Sequence, residues 1–522
     1  MHHINNTFAK TDLIYIFILA LFSFSINWHY SQFGVFPIDS FYHFDTGYRV
    51  TTGEFPIKDY WVTTGILVDF MQAFFFNLFG TKWWVQILHS SLFNAFITII
   101  TYSFLIKINL DKKYSFFYAL MFGILAYTPS ATPFVDHHAT FFLLIGTYCY
   151  VLGIKEKKKL YWFLAPWFFG FSFLCKQVPS SYMIILLGFI LIIYSIKIKD
   201  IKFLFVTILS SFLFLIFIFF IIYLLDIGFK NFFLQYILYP PSISEVRFNE
   251  FTLTLEDFLN NYKFILLPLC LIIFINYKKN FFNLKNIEHN FPTIIIISLT
   301  ICLIFHQILT KNQIYIYFLC PLLFAILSNE IFKQRYKHQT YIVIFSLLVS
   351  VLVTFKYHER FNENRKFHEL TSANMSESIN SNLIHSNLSG FKWITKEFKN
   401  NAAGEVKILK GYLDILEKDK RNKMVITHYL FYSSILQEQL NSPSRSFTLD
   451  GASFPIKDNK YYQDYKSYFN KKIKEKKIDV IYIIDKYVDE RVVFDYLNSS
   501  CIKNFSLSKN IKIFELKKNC IN

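Results

Sequence analysis

Apolar runs alternate with short polar connections over the first two thirds of the chain. They fall at approximately 12–29, 84–106, 114–129, 139–154, 161–175, 179–196, 203–225, 262–276, 291–309, 314–328 and 340–355. Runs of about 15–23 apolar residues predict membrane-spanning helices, about eleven here, several of them short for a bilayer. Ile66–Phe79 is shorter still and carries Asp69, which places it in the membrane interface or leaning back into the protein. Beyond about residue 356 the pattern changes. Ile408–Leu416 is amphipathic at helical spacing, Met424–Thr427, Val480–Ile484 and Ile511–Leu516 read as strands, and Tyr429–Leu440, Tyr461–Lys476 and Asp489–Leu497 read as helices. The expected fold is a polytopic α-helical membrane protein with a small C-terminal α/β domain. Its expected parts are a membrane domain, 1–355, with an outer loop at 30–83, and an extracytoplasmic domain, 356–522.

Composition agrees with this pattern. Of 522 residues, 53% are hydrophobic and only 17% charged, with a mean hydropathy of +0.33. The net charge of +17 does not point to nucleic acid, because its lysines and arginines cluster in short connections. Lys107/Lys112/Lys113, Lys155/Lys157/Lys158/Lys159, Lys197/Lys199/Lys202, Lys278/Lys279/Lys285 and Lys333/Arg335/Lys337 occupy every second connection, which the positive-inside rule makes cytoplasmic. The intervening connections and the C-terminal part then face outward. Leu13–Trp28 follows Lys10 without a small-x-small site after it, so it reads as a retained first span. The expected location is a bacterial inner (plasma) membrane, with the C-terminal domain periplasmic or extracellular. Five of the seven cysteines fall in or beside apolar runs. Cys501 and Cys520 lie in the polar C-terminal part, where export would permit a disulfide.

The outward connections hold the candidate chemistry. Phe36–Asp69 sets Asp39, Asp45, Asp59 and Asp69 among aromatics, and carboxylates beside a bilayer are costly unless paired, metal-bound or facing water. Asp39 and His43 are spaced i, i+4, so a helix over 40–50 puts them on one face. TPSATPFVDHHATFF places Asp136, His137 and His138 near the surface; Asp136 with one histidine suits a metal, or Asp136 caps a helix. In FLCKQVPSS, Lys176 and Gln177 interrupt two apolar runs on the outer side, where a lysine either snorkels or pairs with an anion such as phosphate. Tyr239, Glu245 and Arg247 in YPPSISEVR, with Lys311 and Gln313, are weaker members of the outer set. An acid can take a proton from an attacking hydroxyl, paired acids can hold a divalent metal, and a lysine can stabilise a departing phosphate.

This arrangement resembles the GT-C superfamily of polyprenyl-phosphate-sugar glycosyltransferases, near the protein mannosyltransferases and the lipid A aminoarabinose transferase. Asp39, Gly53, Pro56 and Asp59, followed by Ile66–Gly80, stand in the order of that superfamily's first outer loop and interfacial helix. Asp136 in FVDHHATFF and Lys176 in FLCKQ match its later acid and lysine. Ser40 stands where the nearest families have a second acid, and Thr64, Gly65, Ile66 and Leu67 replace their paired prolines.

The resemblance implies sugar transfer from a polyprenyl-phosphate donor to a lipid, glycan or protein acceptor at the outer face. Asp39 and Asp136 would be catalytic, and would also be the ligands of a divalent metal, Mg or Mn. His43, Asp59, His137, Lys176 and Gln177 would bind substrate. The alternatives are a lipid-linked glycan flippase or transporter, which calls for charged, broken helices along a central path, and a non-catalytic anchor, for which the acids are dispensable. The distinctive ionisable residues instead crowd one surface.

Overall fold

A computed structural model describes residues 10–249, 254–277, 287–310, 315–335, 337–485, 488–508 and 511–521. Lys278, Lys279, Lys285, Lys311 and Gln313 lie outside the described residues, as do the side chains of Lys10 and Arg247.

The apolar runs fold as helices: α1 (Lys10–Tyr30), α4 (Trp83–Lys107), α5 (Lys112–Leu125), α6 (Val135–Glu156), α7 (Lys159–Cys175), α8 (Gln177–Ile198), α9 (Lys202–Leu224), α12 (Leu255–Tyr277), α13 (Ile287–Thr310), α14 (Leu319–Gln334) and α15 (Gln339–His358). Between α1 and α4 lie two shorter helices, α2 (Pro37–Thr51) and α3 (Ile66–Phe79). After α9 come α10 (Phe229–Phe232), a π-helical turn and α11 (Tyr239–Asn249). Among the described residues nine helices are long and apolar enough to cross a membrane. The expected spans at 114–129 and 161–175 appear as α5 and α7, with 14 and 17 residues, below that length.

Burial sorts the helices by composition. Every side chain of α6 from Asp136 to Ile154 is buried, and so is every one of α14 from Leu319 to Ile331. In α9, by contrast, only Ser210, Phe214 and Ile222 are buried, although the helix is apolar all round. A helix apolar on every side and packed on one is suited to lipid contact.

The C-terminal part contains β1 (Ile379–Asn380) paired with β2 (Lys392–Trp393), then α16 (Ala402–Lys418), β3 (Lys423–Ile426), α17 (Tyr432–Leu436), α18 (Tyr462–Glu475), β4 (Val480–Ile483), α19 (Arg491–Phe494), β5 (Ile502–Ser508), β6 (Ile511–Leu516) and α20 (Lys518–Ile521). The larger sheet has the order β3-β4-β6-β5, with β3 and β4 parallel and the remaining pairs antiparallel. Side chains alternate between its faces. Met424, Ile426, Ile481 and Ile483 pack with Tyr465, Phe469 and Ile473 of α18, whereas Val425, Val480 and Tyr482 share a cluster with Leu409, Leu413 and Leu416 of α16. Both faces of β3 and β4 are therefore covered, which explains their unbroken apolar runs. β5 has no counterpart among the expected strands, and the helix expected over Tyr429–Leu440 shortens to α17. Cys501 and Cys520 form a disulfide.

The sheet unit does not stand apart from the helices. The α16 cluster continues into Val35, Phe41, Phe44 and Trp83, and the Phe41 ring lies 5.0 Å from Phe431 and 5.1 Å from Trp83. Gly34 and Val35 donate backbone hydrogen bonds to Lys392 and Ile394, and Trp61 donates to Pro443. The segment after the first span is thus clamped between two layers.

Candidate functional site

Pro37 occupies the first turn of α2, where its fixed φ suits helix initiation and its missing N–H costs nothing. Asp39 follows in the same turn, and His43 lies one turn further along the same face, as its spacing predicts. Both line a cavity of about 1040 Å³, together with Tyr42, Lys176, Gln177 and Ser446. The volume is of the size that holds a small-molecule substrate.

Asp39 makes no hydrogen bond or ion pair among the described residues. Burial raises its carboxyl to about 7, with the nearby charge of Asp136 adding to the rise, Lys176 opposing it and Glu369 reinforcing it. Asp136 sits inside α6, which begins at Val135, so it is not the helix cap. Its Oδ1 accepts from Lys176 Nζ at 2.6 Å and faces His306 Nε2 at 3.2 Å. Lys176 ends α7 in an extended conformation before α8 begins, and this break in two apolar helices brings its ammonium to the cavity wall.

A second hub lies beside the first. The Asp69 carboxylate, fully buried in α3, faces His43 Nδ1 at 2.9 Å and accepts from Thr46 Oγ1 at 2.6 Å and Tyr60 OH at 3.2 Å. Arg445, from the C-terminal part, forms an ion pair with it. Burial and the Arg445 charge hold His43 well below its ordinary value, so it is neutral, donating Nδ1–H to Asp69. The His43 Nε2 has no hydrogen-bond partner among the described residues. Gly65, at φ +78°, starts α3 at this junction. A Cβ there would stand 2.8 Å from Arg445 Nη1 and 2.7 Å from Val135, so the crossing requires glycine.

A hydrogen-bond chain fixes the start of α6. His89 Nδ1 faces the Gln72 carboxamide at 2.9 Å, and His89 Nε2 faces His138 Nε2 at 3.1 Å. His138 Nδ1 faces both Tyr127 OH at 2.7 Å and the Phe134 carbonyl at 3.2 Å, and Tyr127 OH accepts from the Phe134 N–H at 2.8 Å. The chain anchors Phe134, two residues before Asp136, to α3 and α4.

The remaining expected residues divide between the cavity wall and positions away from it. Asp59 accepts from the Phe55 N–H at 2.9 Å and faces Lys472 at 3.6 Å, and it is not part of the cavity wall. His137 is enclosed by Tyr127, Phe134 and Phe141. Gln177 donates to the carbonyls of Thr63 and Tyr236, tying the cavity's walls together. Tyr239 donates to the Gly451 carbonyl, and Glu245 lines the cavity. His306, Asp69 and Arg445 were not singled out as site residues. For His306 and Asp69 a signal existed, an ionisable group inside an apolar run. Arg445 carries none.

Asp39 and Asp136 do not make a metal site as they stand. Among the described residues no group of three or more His, Cys, Asp or Glu is placed to hold a metal ion, and the Asp136 Oδ1 already faces an ammonium and an imidazole.

No protein-family model matches the chain, and no curated protein matches it. Among solved structures, the fold is similar to the crystal structure of the Archaeoglobus fulgidus oligosaccharyltransferase in complex with zinc and sulfate. The two are 10% identical with a TM-score of 0.43, over 90% of this chain and 67% of that one.

Proposed function

We propose that this protein transfers a sugar from a polyprenyl-phosphate-linked donor to a lipid, glycan or protein acceptor at the outer face of a membrane. The observation that carries the reading is Asp39: an unpartnered carboxyl, poised near neutral pH, in a cavity that also presents Lys176. A general base is most effective when its pKa lies near the working pH. The cavity wall includes Ile237, Pro240 and Pro241 beside these polar groups, an amphipathic surface suited to a lipid-linked sugar phosphate.

In this reading Asp39 removes the proton of an acceptor hydroxyl as its oxygen bonds to the anomeric carbon. The bond from that carbon to the phosphate oxygen breaks, and its electron pair leaves with the polyprenyl phosphate. Lys176, held by Asp136, whose Oδ1 also faces His306, stabilises the charge gathering on the departing phosphate. Asp136 serves as the residue that positions this lysine. Tyr42 and His43 shape the same wall.

The chain divides at about residue 355 into a membrane domain and an α/β domain, 356–522, on the outer side of a bacterial plasma membrane. The distribution of basic connections and the Cys501–Cys520 disulfide support that orientation. The C-terminal part supplies Ser446, Thr448 and Ser453 to the cavity wall. The test is transfer by the purified protein from a panel of polyprenyl-phosphate sugars, with cell membranes as the acceptor source. Release of polyprenyl phosphate matched by labelled acceptor is the expected result. Absence of transfer from every donor would count against the proposal.

A further inference from the structure

Asp136 opens α6, and Lys155 lies near its other end, about 30 Å away at 1.5 Å per residue, which is the thickness of a hydrocarbon core. At that far end lies a second cavity, of about 710 Å³, between the C-terminal ends of α4, α6, α12 and α14 and the first turns of α13. Its lining changes character along the helices. Phe104, Val151, Ile296 and Ile326 form the deep part, Asn276, Asn329 and Thr293 come next, and Lys155, Lys157 and Lys333 stand at the helix ends with Glu330.

The amides are the informative feature. Asn329 is 3% exposed and Asn276 4%, inside the layer of membrane-crossing helices. The Asn329 carboxamide makes no hydrogen bond among the described residues. Asn276 uses its Nδ2 on the Ile272 carbonyl, and its Oδ1 has no partner among them. Buried amides without partners are costly, and both line a cavity. At the rim, Lys333 pairs with Glu330 and Lys155 donates to the Lys107 carbonyl, and the described wall carries three lysines and one glutamate.

We propose that this cavity binds the phosphate-bearing headgroup of an anionic phospholipid. The lysines face the phosphate, the amides of Asn329 and Asn276 take the polar oxygens of the headgroup, and the apolar depth receives the first carbons of the acyl chains. Basic pockets between membrane helices select acidic headgroups by this division of labour. The site lies at the membrane face opposite the Asp39 cavity and stands independently of the proposed reaction.

The experiment compares delipidated full-length protein in the presence of phosphatidylglycerol, phosphatidylcholine or inorganic phosphate, reading bound lipid by native mass spectrometry and thermal stability in detergent. Saturable retention of phosphatidylglycerol, with a rise in melting temperature that phosphatidylcholine does not give, is expected. Replacing both rim lysines (Lys155→Ala with Lys333→Ala) should weaken retention about thirtyfold, while Lys199→Ala with Lys202→Ala leaves it unchanged. Asn329→Leu, which removes the unpartnered amide without touching charge, should also abolish retention and covers the case in which the lysine variant fails to fold. Equal retention of both lipids, or retention unchanged in Asn329→Leu, overturns the proposal. Stabilisation by inorganic phosphate equal to that by phosphatidylglycerol identifies a free anion as the ligand and overturns the lipid assignment.

Discussion

Arg445 and Asp69 form a buried ion pair that joins the C-terminal part of the chain to a short helix inside its N-terminal part. The carboxylate also faces His43 and accepts from Thr46 and Tyr60, so one fully buried charge organises α2, the loop before α3 and the loop carrying Arg445. Removing one member of such a pair leaves the other desolvated and uncompensated. Arg445→Ala should therefore cost about 3–5 kcal/mol, read as a fall in thermal stability in detergent. Asp69→Asn should be destabilising too, and the double variant should cost less than the two single losses added together.

The raised carboxyl of Asp39 gives a pH dependence with a definite sign. The acceptor's proton can pass only to the deprotonated form, so kcat/KM should rise with pH through about 7 and fall away below it. The neighbouring charges then shift the profile in opposite directions. Asp136 raises Asp39, so Asp136→Asn should move the inflection to lower pH in whatever activity remains. Lys176 lowers Asp39, so Lys176→Ala should move it higher. An inflection indifferent to both changes would assign the titration to another group.

Lys176 stands between Asp136 and the cavity, and its loss removes a donor aimed at the departing phosphate. Lys176→Ala should lower kcat/KM for the donor by about 100–1000-fold, the range for deleting one transition-state hydrogen-bond donor. Lys176→Arg should recover part of that loss, because it keeps the charge but not the geometry. Steady-state rates with varied donor concentration separate the effect on kcat from that on KM.

Asp59 provides a contrast. It belongs to the motif that carries the family resemblance, yet it closes the 55–59 turn and faces Lys472 outside the cavity. Asp59→Ala should lower stability by about 1–2 kcal/mol and leave turnover per folded molecule within about twofold. A selective loss of turnover would return Asp59 to the reaction.

Much of the fold was legible because a bilayer imposes length and polarity on its helices. The eleven apolar runs all appear as helices, and β3, β4 and β6 emerge as short apolar strands between polar segments. β5 was missed because IKNFSLS lies at the sheet edge, where exposure removes the apolar signature of a buried strand. The helix expected over 429–440 stops at Leu436, and the Leu440 carbonyl instead accepts from the Val425 N–H of β3. In the site, Asp39, His43 and Lys176 were visible as polar groups crowded against apolar runs. The pairing of Asp69 with Arg445 was not, because the partners meet only through tertiary packing, and Arg445 sits in a polar loop of ordinary composition. His306 could have been found as an ionisable residue within the run at 291–309.

The central claim is that the Asp39 carboxylate acts on the acceptor. The most direct measurement compares turnover of purified wild-type protein and Asp39→Asn with a polyprenyl-phosphate sugar donor, alongside donor binding and thermal stability. In Asp39→Asn kcat should fall by about 100–10,000-fold, with donor affinity and melting temperature little changed. Turnover equal to wild type in a folded Asp39→Asn protein would contradict it.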